Sequence, residues 1–144
     1  MAIRSLVKRD PVTVTPETSV IDAIRVMAEH RVGAVAITEG RKLKGIFTER
    51  DVMKKIVLGG VDPARTKISE VMTREVKKAH GSISVTDALG MMNQNQFRHL
   101  PIVNDHDEVE GMVSLRYILY DLMDDLKSHA SSLESYLGYD GPGG

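Results

Sequence analysis

The chain has 144 residues, of which 42% are apolar and 4% aromatic, with no Trp and no Cys. That composition supports an aliphatic core, excludes a disordered chain, and at this length allows one domain or two very small ones. Nineteen basic against twenty acidic residues leave a net charge of −1, which excludes a global field for nucleic acid or anionic lipid, and the lack of cysteine excludes disulfide scaffolds, thiol nucleophiles and thiolate zinc sites.

The first ten residues contain no apolar stretch of signal-peptide type. Val32–Ile37 is far short of the roughly 20 residues that a membrane span needs. A cytoplasmic protein without a membrane partner is the expectation.

In chain order, Ser19 has the character of a helix N-cap, with Asp22 three residues on. Val20, Ala23, Ile24, Met27 and Ala28 then mark one helical face. Gly33–Ile37 reads as a buried strand, Glu39–Lys44 as a polar turn, and Gly45–Phe47 as a second strand. Thr48 caps a helix that should run to the Gly59-Gly60 stop. Val61–Thr73 is a linker, with a turn at Pro63 and one helical turn expected at Ile68–Met72. Ser84 and Asp87 then open a helix, His99–Val103 reads as a strand, Asn104–Glu108 as a turn, Gly111–Val113 as a strand, and Ser114 caps the last helix. The final Asp140–Gly144 should be disordered.

The second series repeats the first. Ser19, Val20, Asp22, Ala23, Met27 and Ile37 recur 65 positions later as Ser84, Val85, Asp87, Ala88, Met92 and Ile102. The offset grows by one at Gly45 and Gly111, within a turn. Two units of about 60 residues, each too small to bury a core alone, should pack sheet against sheet as one α/β body. The expected divisions are 1–65, 66–123, and a helical extension with tail over 124–144.

The duplicated unit and the segment Gly45-Ile-Phe-Thr-Glu-Arg-Asp51 resemble a cystathionine-β-synthase (CBS) domain pair, the Bateman module, with tandem βαββα repeats. Arg98-His-Leu-Pro-Ile-Val103 resembles the corresponding strand of a second repeat. The resemblance covers roughly Ile3 to Met123. It implies a regulatory module, requiring no cofactor, that binds an adenosine-containing ligand: AMP, ADP, ATP or S-adenosylmethionine. It places Thr48 and Asp51 on the ribose hydroxyls, with Ile46 on the strand that leads to them. A carboxylate suits a diol because it accepts two hydrogen bonds at once, and the helix start after Thr48 adds free N–H groups for phosphate. Arg98, His99 and Arg116 would reach phosphate, and Met72 and Val76 would either wall the adenine or pack in the core. Thr-x-x-Asp at a helix start is equally a capping arrangement, worth about 1 kcal/mol.

The second repeat departs from the pattern, keeping Ser114 but placing Tyr117 where Asp belongs. One ligand per chain is therefore expected. The five histidines show no metal-ligand spacing, and no nucleophile or acid–base pair stands out from caps and surface charges. Leu115, Leu119, Leu122, Leu126, His129, Leu133 and Tyr136 follow heptad spacing, so the last helix could extend a homodimer. A regulated partner would then lie in another chain. The competing reading is a ligand-free structural or interaction module working through its dimer interface and last helix. Nucleic acid is the weakest option, because stacking aromatics are nearly absent.

Overall fold

The structure is a computed structural model that describes residues 1–137, with side chains through residue 130. The side chains of Leu133 and Tyr136 and the tail Asp140–Gly144 lie outside that description.

Each repeat builds a three-stranded sheet with helices on one face. In the first, β1 (Thr13–Val14) pairs parallel with β2 (Ala34–Glu39), and β2 pairs antiparallel with β3 (Lys42–Thr48). Between β1 and β2 lies α1 (Val20–His30). The Ser19 hydroxyl caps it, accepting from the Asp22 N–H at 3.2 Å, and its stripe Val20, Ala23 and Met27 is buried. After β3 comes α2 (Glu49–Asp51), which continues as a π-helical segment, Val52–Val57.

The second repeat follows the same plan with β4 (Ala79–His80), α3 (Val85–Asn95), β5 (His99–Val103), β6 (Val109–Ser114) and α4 (Leu115–Leu137). Ser84 caps α3 through the Asp87 N–H at 3.0 Å, and Val85, Ala88 and Met92 form its buried stripe. Both inner strands carry a bulge at corresponding places, Ile37/Thr38 and Ile102/Val103. The extra residue of the second repeat is absorbed in the turn Asn104–Glu108. There the Asn104 side-chain oxygen accepts from the N–H groups of His106 and Glu108 at 2.9 and 3.0 Å.

Alternation along the strands sets two layers. Val35 and Ile37 face the helices of the first repeat, as Leu100 and Ile102 do in the second. Ala36 and Val103 point the other way and meet Leu43 and Val109 in a small core between the repeats. The hairpin ends are stitched together by Leu43 N–H to Asp107 C=O at 3.0 Å and Val109 N–H to Arg41 C=O at 2.9 Å.

The cores do not follow the chain. The 3-10 turn Ile3–Leu6 buries Ile3 and Leu6 in the core of the second repeat, while the turn Ile68–Glu70 buries Ile68 in the first. Matching bonds hold both: Ile3 N–H to Ile83 C=O and Ile68 N–H to Thr18 C=O, each 2.7 Å. A division at 65/66 thus separates the sequence repeats but crosses both cores, because each repeat's leading segment docks on its neighbour.

Two expectations are altered. The regular helix expected from Thr48 to Gly59 is a short α turn followed by wider π turns, with Leu58 N–H reaching back to Met53 C=O at 3.0 Å. The heptad stripe of α4 is split. Leu115 and Leu122 pack on the second core beside the fully buried Ile118, whereas Leu119 and Leu126 face outward with Tyr120 and Met123. Within a globular unit the period of 3.6 decides which positions turn inward, so a leucine at every third or fourth position need not share one face.

Candidate functional site

A cleft of about 260 Å³ opens where β3 and α2 of the first repeat face the start of β5 in the second. That is close to the lower end of ordinary small-molecule sites, roughly 300 Å³. Thr48 closes β3 and caps α2. Its hydroxyl accepts from the Asp51 N–H at 3.3 Å and donates to Asp51 Oδ2 at 3.2 Å, while the Thr48 N–H donates to the same oxygen at 2.9 Å. The capping arrangement foreseen from Thr-x-x-Asp is therefore present in full.

It leaves Asp51 Oδ1 unspent except for Lys55 Nζ at 3.6 Å, and the carboxylate side chain is 16% exposed. Capping and ligand binding thus use different oxygens and are compatible. The free N–H groups expected at this helix start are largely taken, since the Glu49 N–H donates to Gly33 C=O at 3.0 Å and the Asp51 N–H to Thr48.

Lys55 explains part of what the π turns do. Its ammonium donates to Val71 C=O at 2.7 Å and to the Thr73 hydroxyl at 3.2 Å, tying the helix to the linker. Thr73 in turn pairs with Ile46 through two backbone hydrogen bonds of 3.0 Å. This approach requires Gly45, where a Cβ would stand 2.6 Å from Met72 Sδ. The same constraint recurs at Gly111, where a Cβ would meet Val7 at 2.5 Å.

Across the cleft, Gly33 lets two side chains converge. A Cβ there would lie 2.4 Å from Glu49 Oε1 and 3.0 Å from His99 Nε2. Burial pushes the half-buried His99 imidazole below its ordinary value of 6.5; the Glu49 carboxylate opposes this and the Arg98 guanidinium adds to it.

Of the residues expected from sequence, Ile46, Thr48, Asp51, Val76, Arg98 and His99 line this cleft. Met72 does not: it is buried in the first core beneath Gly45. Arg116 lies in a larger groove with Ser114 and Tyr117, which shares Gly33, Glu49, Arg98 and His99 with the first cleft. It occupies the first turn of α4, and the near-twofold relation of the repeats assigns that turn to the second cleft; the matching residue of the first is Arg50. Sequence reasoning missed Gly33, Glu49, Arg50, Thr73, Glu75, Lys77 and Phe97. For Arg50 the signal was the 66-residue offset to Arg116. For Thr73, Glu75 and Lys77 it was only that the linker must pass the end of β3.

The lining balances three acids (Glu49, Asp51, Glu75) against three bases (Arg50, Lys77, Arg98), with apolar Ile46, Val76 and Phe97 between them. Such a lining can hold a flat apolar ring, hydroxyl donors at Asp51 and an anion at Arg98.

Comparison with known proteins agrees with the fold. The CBS domain family matches the chain twice, over residues 3–58 and 68–124. The CBS domain-containing protein YhcV of Bacillus subtilis is 38% identical over 103 residues, 72% of each chain. A mitochondrial CBS domain-containing protein of Arabidopsis thaliana is 31% identical over 128 residues, 85% of this chain but 62% of its own length, so this chain spans under two thirds of that relative. Among solved structures, a CBS domain protein of Pyrobaculum aerophilum complexed with AMP superposes with a TM-score of 0.76 at 22% identity, covering 86% of this chain and 99% of that one. Two family matches in tandem, on two sheets related by one repeated plan, make this chain a member of the CBS domain family.

Proposed function

We propose that the chain is a non-enzymatic regulatory module that binds an adenosine-containing nucleotide, or S-adenosylmethionine, in the first cleft. The observation that carries this reading is the Asp51 carboxylate. It lines the cleft, is fixed by the Thr48 cap through Oδ2, and keeps Oδ1, 3.6 Å from Lys55 Nζ, to accept from the hydroxyls of a ribose. Ile46 and Val76 flank the adenine, and phosphate lies toward Arg98 and His99 with Arg50 and Lys77 nearby. The Pyrobaculum protein of the same fold was solved with AMP; at that identity the likeness speaks for the fold, and the case for this chain rests on the cleft.

Because the cleft takes residues from both repeats, 1–65 and 66–123, a ligand bridges them and favours whichever packing it fits better. A partner protein reads that packing. The outward apolar residues of α4 (Leu119, Tyr120, Met123, Leu126) and of the π segment and its C-cap (Met53, Val57, Leu58) pair two copies into a homodimer. These same residues favour the second reading, an interaction module whose clefts stay empty.

Thermal unfolding of wild type and Asp51→Ala with AMP, ADP, ATP and S-adenosylmethionine separates the two. A ligand at about one hundred times its Kd stabilises by about 2.7 kcal/mol. A shift in wild type that Asp51→Ala abolishes supports sensing; no shift with any of them leaves the interaction module.

A further inference from the structure

The two clefts share a backbone plan but not a chemistry. In the second, two acids of the first are lost: Tyr117 stands for Asp51, Leu115 for Glu49, and Lys8 for Thr73, while Gly33 and Val12 stand for Arg98 and Lys77. The result is a groove of about 1420 Å³ lined by Lys8, Arg9, Arg31, Arg98 and Arg116. Only Asp10 and Glu49 oppose them, and among the described residues none of the five cations is in an ion pair. This excess of positive charge sits in a chain whose net charge is −1.

The cations come from four separate places: the leading linker, the C-cap of α1, the start of β5 and the first turn of α4. Convergence from four elements onto one concavity suits a compact ligand, whereas an extended polymer would be met by a row of charges along one face. Arg forks bind phosphate oxygens in pairs, and the Tyr117 hydroxyl can donate to an anion but cannot chelate a diol.

We propose that the second cleft binds a compact polyanion of the tripolyphosphate class, recognised by charge and without a ribose. The two clefts share Gly33, Glu49, Arg98 and His99 in their linings, but the proposal does not rest on the nucleotide reading of the first. Its ligand can be free polyphosphate or the phosphate tail of a nucleotide, and the probes below distinguish the two.

Isothermal titration of the full chain with sodium tripolyphosphate, adenosine and dideoxy-ATP, at a fixed ionic strength of about 0.15 M, tests it. Lys8→Gln and Arg116→Gln should each weaken tripolyphosphate by about tenfold or more and leave adenosine unchanged. Asp51→Ala should do the reverse. Dideoxy-ATP binding more tightly than tripolyphosphate, with the same dependence on Arg116, identifies the nucleotide tail as the source; equal or weaker binding identifies free polyphosphate. The proposal is overturned if tripolyphosphate does not bind, if adenosine displaces it, or if Lys44→Gln, on the exposed surface outside both clefts, weakens it as much as Arg116→Gln. Failure of the adenosine arm alone overturns the nucleotide reading and leaves this one standing.

Discussion

The first and second clefts are positioned by the same devices. In each, a hydroxyl caps the helix after the last strand: Thr48 accepts from the Asp51 N–H at 3.3 Å, and Ser114 from the Tyr117 N–H at 3.1 Å. In each, the first helical N–H reaches the residue before the other strand, Glu49 to Gly33 C=O and Leu115 to Arg98 C=O. In each, a glycine admits the leading segment against the strand. The backbone of the site is thus duplicated, and what distinguishes the clefts is a few side chains: Asp51 against Tyr117, Glu49 against Leu115, His99 against Ala34, Thr73 against Lys8. A duplicated fold keeps geometry because caps and close approaches are costly to lose, whereas cleft side chains carry little of the fold and are free to diverge.

The largest effect should come from what both clefts share. Ile3 and Ile68 are fully buried, each in the other repeat's core. Ile3→Ala and Ile68→Ala should each cost about 2–5 kcal/mol, a fall in Tm of roughly 6–15 °C for a chain of this size. Glu29→Ala, at an exposed position of α1, should change little. An unchanged Tm for Ile3→Ala would mean that the leading segment does not hold the second repeat, and the symmetry of the clefts would fail with it.

Asp51→Ala should come next. Loss of a charged acceptor for two hydroxyls should weaken an adenosine ligand roughly ten- to hundredfold, measured by titration calorimetry, while Tyr117→Phe leaves that affinity within about twofold. Equal losses in the two variants would mean that the clefts are not chemically distinct.

The converse substitution sharpens the comparison. Tyr117→Asp supplies the second cleft with a carboxylate and completes a Ser-x-x-Asp capping box on α4, which has no acidic residue in its first turn. Stability should rise by roughly 0.5–1 kcal/mol, and adenosine should bind with two sites per chain instead of one. A higher Tm with unchanged stoichiometry would show that the aspartate serves as a cap and that the diol is read by other residues.

Thr48 and Asp51 were legible in the sequence because their arrangement is local: three residues across one helix start determine it. The repeat was legible for the same reason, since α1 and α3 carry their own caps and stripes. Lys55, Thr73, Glu75 and Lys77 were not, because the linker meets β3 only after its leading turn has docked on the first core, and no local pattern encodes that crossing. Met72 was open between a ring wall and the core for the same reason. It has the apolar character of a ring wall, but Gly45 opens a space that draws it into the core. The resemblance brought Arg116 of the second repeat to the phosphate of the first cleft, whereas the 66-residue offset that pairs it with Arg50 puts it in the second.

The smallest effect isolates one residue that the repeat does not duplicate. Ala34 stands at the position corresponding to His99, whose imidazole borders both clefts. Burial holds its folded pKa below the ordinary 6.5, so between those values the unfolded chain binds the proton more readily than the folded one. Stability is then lost as pH falls from about 6.5 toward the depressed value, and levels off below it. His99→Gln should remove that part of the slope, so the difference between the two unfolding curves reports His99. The same proton should tighten a phosphorylated ligand, because the imidazolium stands beside Arg98. Adenosine, lacking phosphate, should not gain. If AMP and adenosine respond to pH in parallel, then His99 faces the sugar or base, and the phosphate lies toward Arg50 and Lys77.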